Sequence, residues 1–496
     1  MKHGILLLAA GLGLAAHGGA LTNAFKSADG RFSFTVDCSA APDLADWAET
    51  RLKPVVSEWY GRLADDFATP GYKPRTAITY RLREGMKPGT PGLACGARVD
   101  LDVGWIRKHE QSGKLGMIIH ESWHTLQFYK SKHPTWLGEG ICDWVRYYHY
   151  EKCGVKVNLA KAKADGSYGT TAAFLEWCRM SYGTNFVHGL IGDLRAKRYD
   201  EGWWARRTGR TLEELEADWK GGRLQIATYN IRRAGDKGDN CWSNRLPRIR
   251  DVILRRGFTL VGLQEAFPGQ IEDLRRALPG WESFGQGRAA DRTDEASPIF
   301  WNAARFKRLD AGEFWLSDQP EKPGSKAWRA AFPRICSWVK FKDRATGKEF
   351  FHFNTHLDYR SIDARRHSVE LILRRIESIA GKSPVVLTGD FNDEIGTAKY
   401  LAEVKKKDKT VLTPDGPNHP INLTKKVLRD AREISTSEPK GTVWSDNGYG
   451  EKHVKRIDYI FVSDKVEVFA YETCCDRPDG KYPSDHEAVT ATISIK

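Results

Sequence analysis

Six short stretches in the second half of this 496-residue sequence end strand-like apolar runs on side chains able to handle a phosphoester. They hold Asn230 in ATYNIR, Glu265 in VGLQEA, His356 and Asp358 in NTHLD, Asp390 and Asn392 in TGDFND, Asp458 in RIDYIF, and Asp485 with His486 in YPSDHEAV. Cleaving a phosphodiester requires charge neutralisation on the phosphoryl oxygens, a base that activates water, and help for the departing oxygen. Mg²⁺ takes hard oxygen ligands, typically one or two carboxylates with waters. Isolated acids and amides at strand ends, with a histidine or two nearby, are the donors such a site needs. Taken singly, most of these residues would serve equally well as turn formers. Asp458 differs, because a carboxylate between Ile457 and Tyr459–Ile460 is expected to be buried and must be paired. Arg334 in FPRICSW can grip two phosphate oxygens, and a surface ion pair is its equal alternative.

A second constellation lies in GMIIHESWHTLQFYK, residues 116–130. His120 and His124 are four apart, so on a helix they face one side and can share a metal ion. Glu121 then stands where a general base acts on zinc-bound water. Ile118, Ile119 and Trp123 give that helix an apolar back. A catalytic zinc needs a third protein ligand, for which Glu139 in WLGEGICDWVRYY is chosen, with His133 as the rival. Asp143, one turn beyond Glu139, is placed to hydrogen-bond a ligand histidine. Tyr182 and His188 are unranked donors to a transition state.

These groups need elements to hold them. TGRTLEELEADWK reads as a helix with Thr211 and Glu214 as a capping box, ended by Gly221–Gly222. RLQIATYNI then starts as a strand, which puts a domain boundary at that seam. FFHFNTHL, SPVVLTGDFN and RIDYIFVS read as strands. RSIDARRHSVELILRRIESIA reads as an amphipathic helix on the spacing of Ile362, Val369, Ile372, Ile376 and Ile379. Trp301, Trp315, Trp328 and Trp338 are irregularly spaced and expected in the core. No aromatic-and-basic stripe for stacking bases is visible, and Lys405–Lys407 reads as a solvated helix face.

In this order, ATYNIR, LQEA, NTHLD, TGDFN, RIDYIF and SDH resemble the endonuclease/exonuclease/phosphatase superfamily over about residues 223–496. The resemblance implies an α/β four-layer sandwich with a cleft at the top edge of two central sheets. It also implies Mg²⁺ (or Mn²⁺ or Ca²⁺) held at Glu265 and Asp485. Asp390 and Asn392 would orient water and phosphate. His486 would be base or phosphate-contacting imidazolium oriented by Asp458. His356 would contact phosphate or assist the leaving group, with Asn230, Arg334 and Asp358 against the substrate. The division of labour between His356 and His486 stays open. HESWHTLQ, GEGICDWVRYY and TGRTLEELEADWK resemble the plant-type basic secretory protein family over about residues 30–220. That implies a mostly α, zincin-like metallopeptidase-type domain with Zn²⁺ on His120 and His124, Glu121 as base and an acid of the Glu139–Asp143 stretch as third ligand.

Hydrophobic residues make up 41% and charged residues 28% of the chain, the balance of a folding chain. The longest apolar run, Ile5 to Ala16, is too short to span a bilayer. Behind Lys2 and before Gly18-x-Ala20, it reads as a cleaved secretory signal over 1–20, implying a secreted or periplasmic protein with no stable membrane anchor. Domains are then expected at 21–222 and 223–496. A net charge of +13 favours anionic partners without choosing among them. The expectation is a hydrolase of phosphodiesters, nucleic acid first, joined to a zinc peptidase-type domain acting on polypeptide. The alternative is a phospholipid or other phosphoester hydrolase whose N-terminal half is a non-catalytic binding module.

Overall fold

The computed structural model describes residues 21–109, 115–393, 418–450 and 455–496. The expected leader at 1–20 and the Lys405–Lys407 run lie outside them. The chain forms two compact units. One holds the chain up to Val155 together with Ser167–Ala172 and Ile191–Arg198, and the other holds Lys156–Gly166, Ala173–Leu190 and Tyr199–Lys496.

The mostly α, zincin-like expectation is not confirmed in the first unit, whose helices pack on strands that the sequence reading did not include. Its core is a five-stranded mixed sheet of β1 (Thr22–Lys26), β2 (Ser33–Asp37), β3 (Ala77–Arg83), β4 (Gly92–Cys95) and β5 (Arg98–Asp102), in the order β1-β2-β3-β5-β4. The missed strands are short, and only β2 and β3 alternate with period two: Ile78, Tyr80 and Leu82 of β3 are buried while their neighbours are not, the pattern of a strand with one wet face. Helices Lys53–Asp66 and Gly116–Leu126 pack on this sheet. Tyr80 ties it to the second helix through a 2.7 Å hydrogen bond with Ser122, and Tyr60 joins the two helices through Thr125 at 3.0 Å.

In the second unit, helix Leu212–Lys220 has its reciprocal cap, Thr211 Oγ1 accepting from the Glu214 amide and Glu214 accepting from the Thr211 amide. Two six-stranded sheets follow. One contains β6 (Leu224–Asn230), β7 (Leu260–Gln264), β8 (Trp281–Phe284), β9 (Ile299–Asn302), β16 (Val466–Cys474) and β17 (Ala488–Ile495), ordered β16-β17-β6-β7-β9-β8. The other contains β10 (Phe306–Trp315), β11 (Ile335–Asp343), β12 (Glu349–His356), β13 (Val385–Asp390), β14 (Arg429–Asp430) and β15 (Asp458–Val462), ordered β10-β11-β12-β13-β15-β14. Ile226, Leu260 and Trp301 of the first sheet meet Val339, Phe350 and Ile460 of the second in one core. Helices Trp242–Arg255 and Pro268–Ala277 cover the outer face of the first sheet, and helix Ile362–Ala380 covers that of the second. The order helix, sheet, sheet, helix is the expected four-layer sandwich. Trp301 and Trp315 are buried, while Trp328 and Trp338 are half-buried.

A polar seam crosses the inter-sheet core beneath the strand ends. Gln264 Nε2 donates to Asn354 Oδ1 at 2.8 Å and to Thr228 Oγ1 at 3.0 Å, and Thr388 Oγ1 donates to Asn354 at 3.0 Å. Gly262 makes room for it, since a Cβ there would lie 2.3 Å from Thr388 Oγ1 and 2.4 Å from Asn354 Oδ1. His352 completes the seam through Nε2 to Thr388 at 2.7 Å. Its Nδ1 has no hydrogen-bond partner among the described residues, and burial pushes the imidazole pKa down to about 3.

That burial predicts a pH dependence. The unfolded imidazole protonates near 6.5 and the folded one only near 3, so below 6.5 the unfolded chain binds more protons and stability falls as pH falls. The loss grows until about pH 3, where it is on the order of 4 kcal/mol. His352→Gln should therefore flatten the drop in urea midpoint between pH 6.5 and 4. An unaltered drop would refute the assignment.

Candidate active site

Strand register brings the second-half residues together. His356 ends β12 opposite Asp390 at the end of parallel β13, and Asp390 lies opposite Asp458 at the start of antiparallel β15. In the facing sheet, Asn230 ends β6 beside Gln264 of β7, and Glu265 follows. Asn230 is the bridge. Its Nδ2 donates to Glu265 Oε1 at 3.1 Å and to Asp390 Oδ2 at 3.0 Å, so one amide joins acids from both sheets. Glu265, Asn392 and Arg232 hold left-handed backbone, with φ of 59°, 47° and 54°. Such conformations are costly for residues other than glycine and collect where a side chain must be aimed.

The two histidines differ in state. His486 Nδ1 lies 2.8 Å from Asp458 Oδ2, and its Nε2 stands 3.9 Å from Asp390 Oδ2. Burial alone would lower its pKa, but Asp458, followed by Asp390 and Asp485, holds it well above the ordinary value. His356 is pushed well below by burial and then by Arg334 and Arg288. Asn392 Nδ2 donates to its Nε2 at 2.9 Å and to the Leu357 carbonyl at 3.1 Å, which requires that nitrogen to be unprotonated. Burial, then the charge of Asp458, pushes Asp390 up to about 7. Asp458 Oδ1 is buried without a hydrogen-bond partner among the described residues.

Arg334 is not a surface ion pair. It is 5% exposed, its Nε and Nη1 have no hydrogen-bond partner among the described residues, and Asp358 Oδ2 is 3.8 Å from Nε. Asp358 has a different occupation from the substrate contact expected of it. Its two oxygens accept from the amides of Ala331 (2.8 Å), Arg360 (3.0 Å) and Ser361 (2.8 Å), so it organises the loops around Arg334. Arg232 and Arg288 were missed. Arg232 Nη1 stands 3.3 Å from Asp485 and 4.0 Å from Glu265, a cation where two carboxylates converge. Its only sequence signal is its place two residues after Asn230. Burial, and secondarily Glu265, raises the Asp485 pKa. This crowding of hard oxygen donors fits a divalent ion at Glu265 and Asp485, with Asn230 beside it.

The first unit assembles the other constellation on helix Gly116–Leu126. His120 Nε2 is 3.2 Å and His124 Nε2 3.5 Å from Glu139 Oε2 on helix Thr135–Trp144. Asp143 Oδ1 takes the opposite nitrogen of His120 at 2.7 Å. Burial opposes both shifts, yet Asp143 and Glu139 raise His120 to about 9, and the two imidazoles lower Glu139 to about 2. Burial raises Glu121, which is packed so closely on Gly92 of β4 that a Cβ there would meet its Cγ at 2.5 Å. The cleft, about 590 Å³, is lined by Glu121, both histidines, Glu139 and an unforeseen Tyr168, whose ring stacks 6.1 Å from His120. His133 is turned away onto Tyr129. Tyr182 and His188 belong to the other unit and do not line this cleft. The donor set, two imidazoles, a carboxylate and an acid behind one ligand, fits zinc.

Residues 227–486 match the model of the Endonuclease/Exonuclease/phosphatase family, and residues 68–219 match that of a family described as Peptidase of plants and bacteria. The first match spans more than half of the sequence, and the chain belongs to the Endonuclease/Exonuclease/phosphatase family. It is 32% identical to a mannosyl-6-phosphatase of Bacteroides thetaiotaomicron, covering 55% of this chain and 100% of that one with a TM-score of 0.46. It is 31% identical to an endonuclease/exonuclease/phosphatase of Bacteroides vulgatus, covering 55% and 99% with a TM-score of 0.47. Nocturnin of Drosophila melanogaster is 25% identical over 202 residues, 34% of this chain and 29% of its own length. The chain thus spans less than a third of that curated relative.

Proposed function

We propose that this protein is an exported, metal-dependent hydrolase whose C-terminal domain, residues 223–496, cleaves phosphodiester bonds of nucleic acid. Its N-terminal domain, residues 21–222, is in this reading a zinc peptidase. The observation that carries the first part is the single amide of Asn230 joining Glu265 and Asp390 across two sheets, with His486 and His356 within 4 Å of the same Asp390 oxygen. Among the described residues no helix is long and apolar enough to cross a membrane.

Glu265 and Asp485, with Asn230 beside them, would hold Mg²⁺, which supplies charge neutralisation at the phosphoryl oxygens. Asp390, poised near neutrality, accepts the proton of the attacking water. His486, kept cationic by Asp458, faces the developing charge through Nε2. Arg334 offers its Nε and Nη1 N–H groups, without partners among the described residues, to the non-bridging oxygens. Asn392 holds His356 in one tautomer.

Chelation by EDTA should abolish cleavage of single-stranded DNA, and Mg²⁺ should restore it. Arg334→Ala should lower kcat/KM by about 100-fold, the worth of a charge-assisted donor pair at a phosphate. Arg334→Lys should recover little, because an ammonium lacks the planar fork. The relative named as a mannosyl-6-phosphatase makes mannose 6-phosphate the competing substrate arm; preferential turnover there would refute the nucleic-acid reading.

A further inference from the structure

Two exposed aromatic rings stand on the rim of the phosphoesterase site, and none of the site chemistry uses them. Phe332 is 45% exposed and Tyr359 54% exposed, unusual for large rings in a chain that buries most of its aromatics. They come from different loops, one entering β11 and one leaving β12, and stack on each other 6.5 Å apart at 23°. The loops are locked together beneath them by the Ala331 amide donating to Asp358 at 2.8 Å. Phe332 is two residues from Arg334, and Tyr359 three from His356. The guanidinium of Arg288, itself buried and paired with Asp294 and Glu295, lies 4.9 Å above the Phe332 ring.

A pair of nearly parallel rings left in water two residues from the buried Arg334 is a built feature, because exposing them forfeits burial that the core could have used. We propose that Phe332 and Tyr359 form a stacking ledge for an unpaired nucleobase next to the scissile phosphate, which makes single-stranded polynucleotide the substrate of this site. The proposal rests on the phosphodiesterase reading above and adds its substrate class. A flat ring stacks on the ledge while its phosphate reaches Arg334 behind it. A base inside a duplex has no free face to offer, so the ledge selects single strands. The linear sequence hid this, since the two rings are 27 positions apart and become neighbours through the antiparallel pairing of β11 with β12 and the Ala331–Asp358 hydrogen bond beyond it.

The test uses the full chain with Mg²⁺ and two 12-mers, oligo(dT) and a base-free deoxyribose–phosphate chain of the same length. The wild type should show a KM for oligo(dT) about 100-fold below that for the base-free chain. Phe332→Ala and Tyr359→Ala should each raise the oligo(dT) KM about 5- to 100-fold, the range for losing one stacked base, with kcat nearly unchanged and no effect on the base-free chain. Tyr359→Phe should keep the wild-type value. Equal losses on both chains, or none on oligo(dT), would overturn the ledge while leaving the phosphodiesterase reading intact. If neither 12-mer is cut while mannose 6-phosphate or a phospholipid vesicle is turned over, both readings fall together.

Discussion

Replacing His486 by alanine should reduce phosphodiester cleavage by about 10³- to 10⁴-fold, the usual scale for losing a positioned acid–base or charge-stabilising group. His486 is the one imidazole of the site that three carboxylates hold protonated, Asp458 through Nδ1 and Asp390 and Asp485 through their fields. Asp458→Asn should cost nearly as much. The amide would keep the shape but remove the charge that fixes the imidazolium, and among the described residues Asp458 Oδ1 has no partner to compensate. By contrast, His356 is already neutral and accepts from Asn392, so His356→Gln, which can still accept there, should cost far less. Steady-state rates on one oligonucleotide, with circular dichroism to confirm folding, decide the matter. A His486→Ala enzyme as active as wild type would remove His486 from the chemistry.

Much of this site was legible because strand ends are where parallel and antiparallel ladders must place their last side chains. Asn230, Glu265, His356, Asp390 and Asp458 each end or begin an apolar run, and the register aligns them without help from loops. Arg334 was visible only as a two-way choice, since its burial depends on Asp358 folding the neighbouring loop. Asp358 itself was misread for the same reason: a carboxylate followed by a turn looks identical whether it faces ligand or backbone amides. The seam of Gln264, Asn354, Thr388 and Gly262 was invisible, because polar residues inside strands pair across sheets that sequence does not juxtapose. In the first unit, helical spacing found the metal-type cluster, whereas the short strands β1 to β5 carried too few alternations to register against strong helical signals. Tyr168 left no trace, being brought to His120 by a left-handed turn at φ 45°.

His120→Ala should abolish binding of one zinc per chain, measured by elemental analysis after dialysis against a weak chelator. Around tetrahedral zinc, ligand distances of about 2.0–2.2 Å put neighbouring N and O donors about 3.3 Å apart, and Glu139 Oε2 lies 3.2 and 3.5 Å from the two Nε2 atoms before any ion is added. Cys142 is the competing donor, but its sulfur is 3.5 Å from both nitrogens of His124. It therefore sits equidistant from the two nitrogens and is not aligned on the Nε2 lone pair, so Glu139→Ala should lose zinc and Cys142→Ser should keep it. Asp143 would not be a ligand; it holds His120 by Nδ1, which leaves Nε2 for the ion. Asp143→Asn should accordingly weaken zinc by about 10- to 100-fold without removing it. That graded series, complete loss for His120 and Glu139 and partial loss for Asp143, distinguishes a metal centre from a polar contact between two helices, for which the zinc content of all four variants would equal that of the wild type.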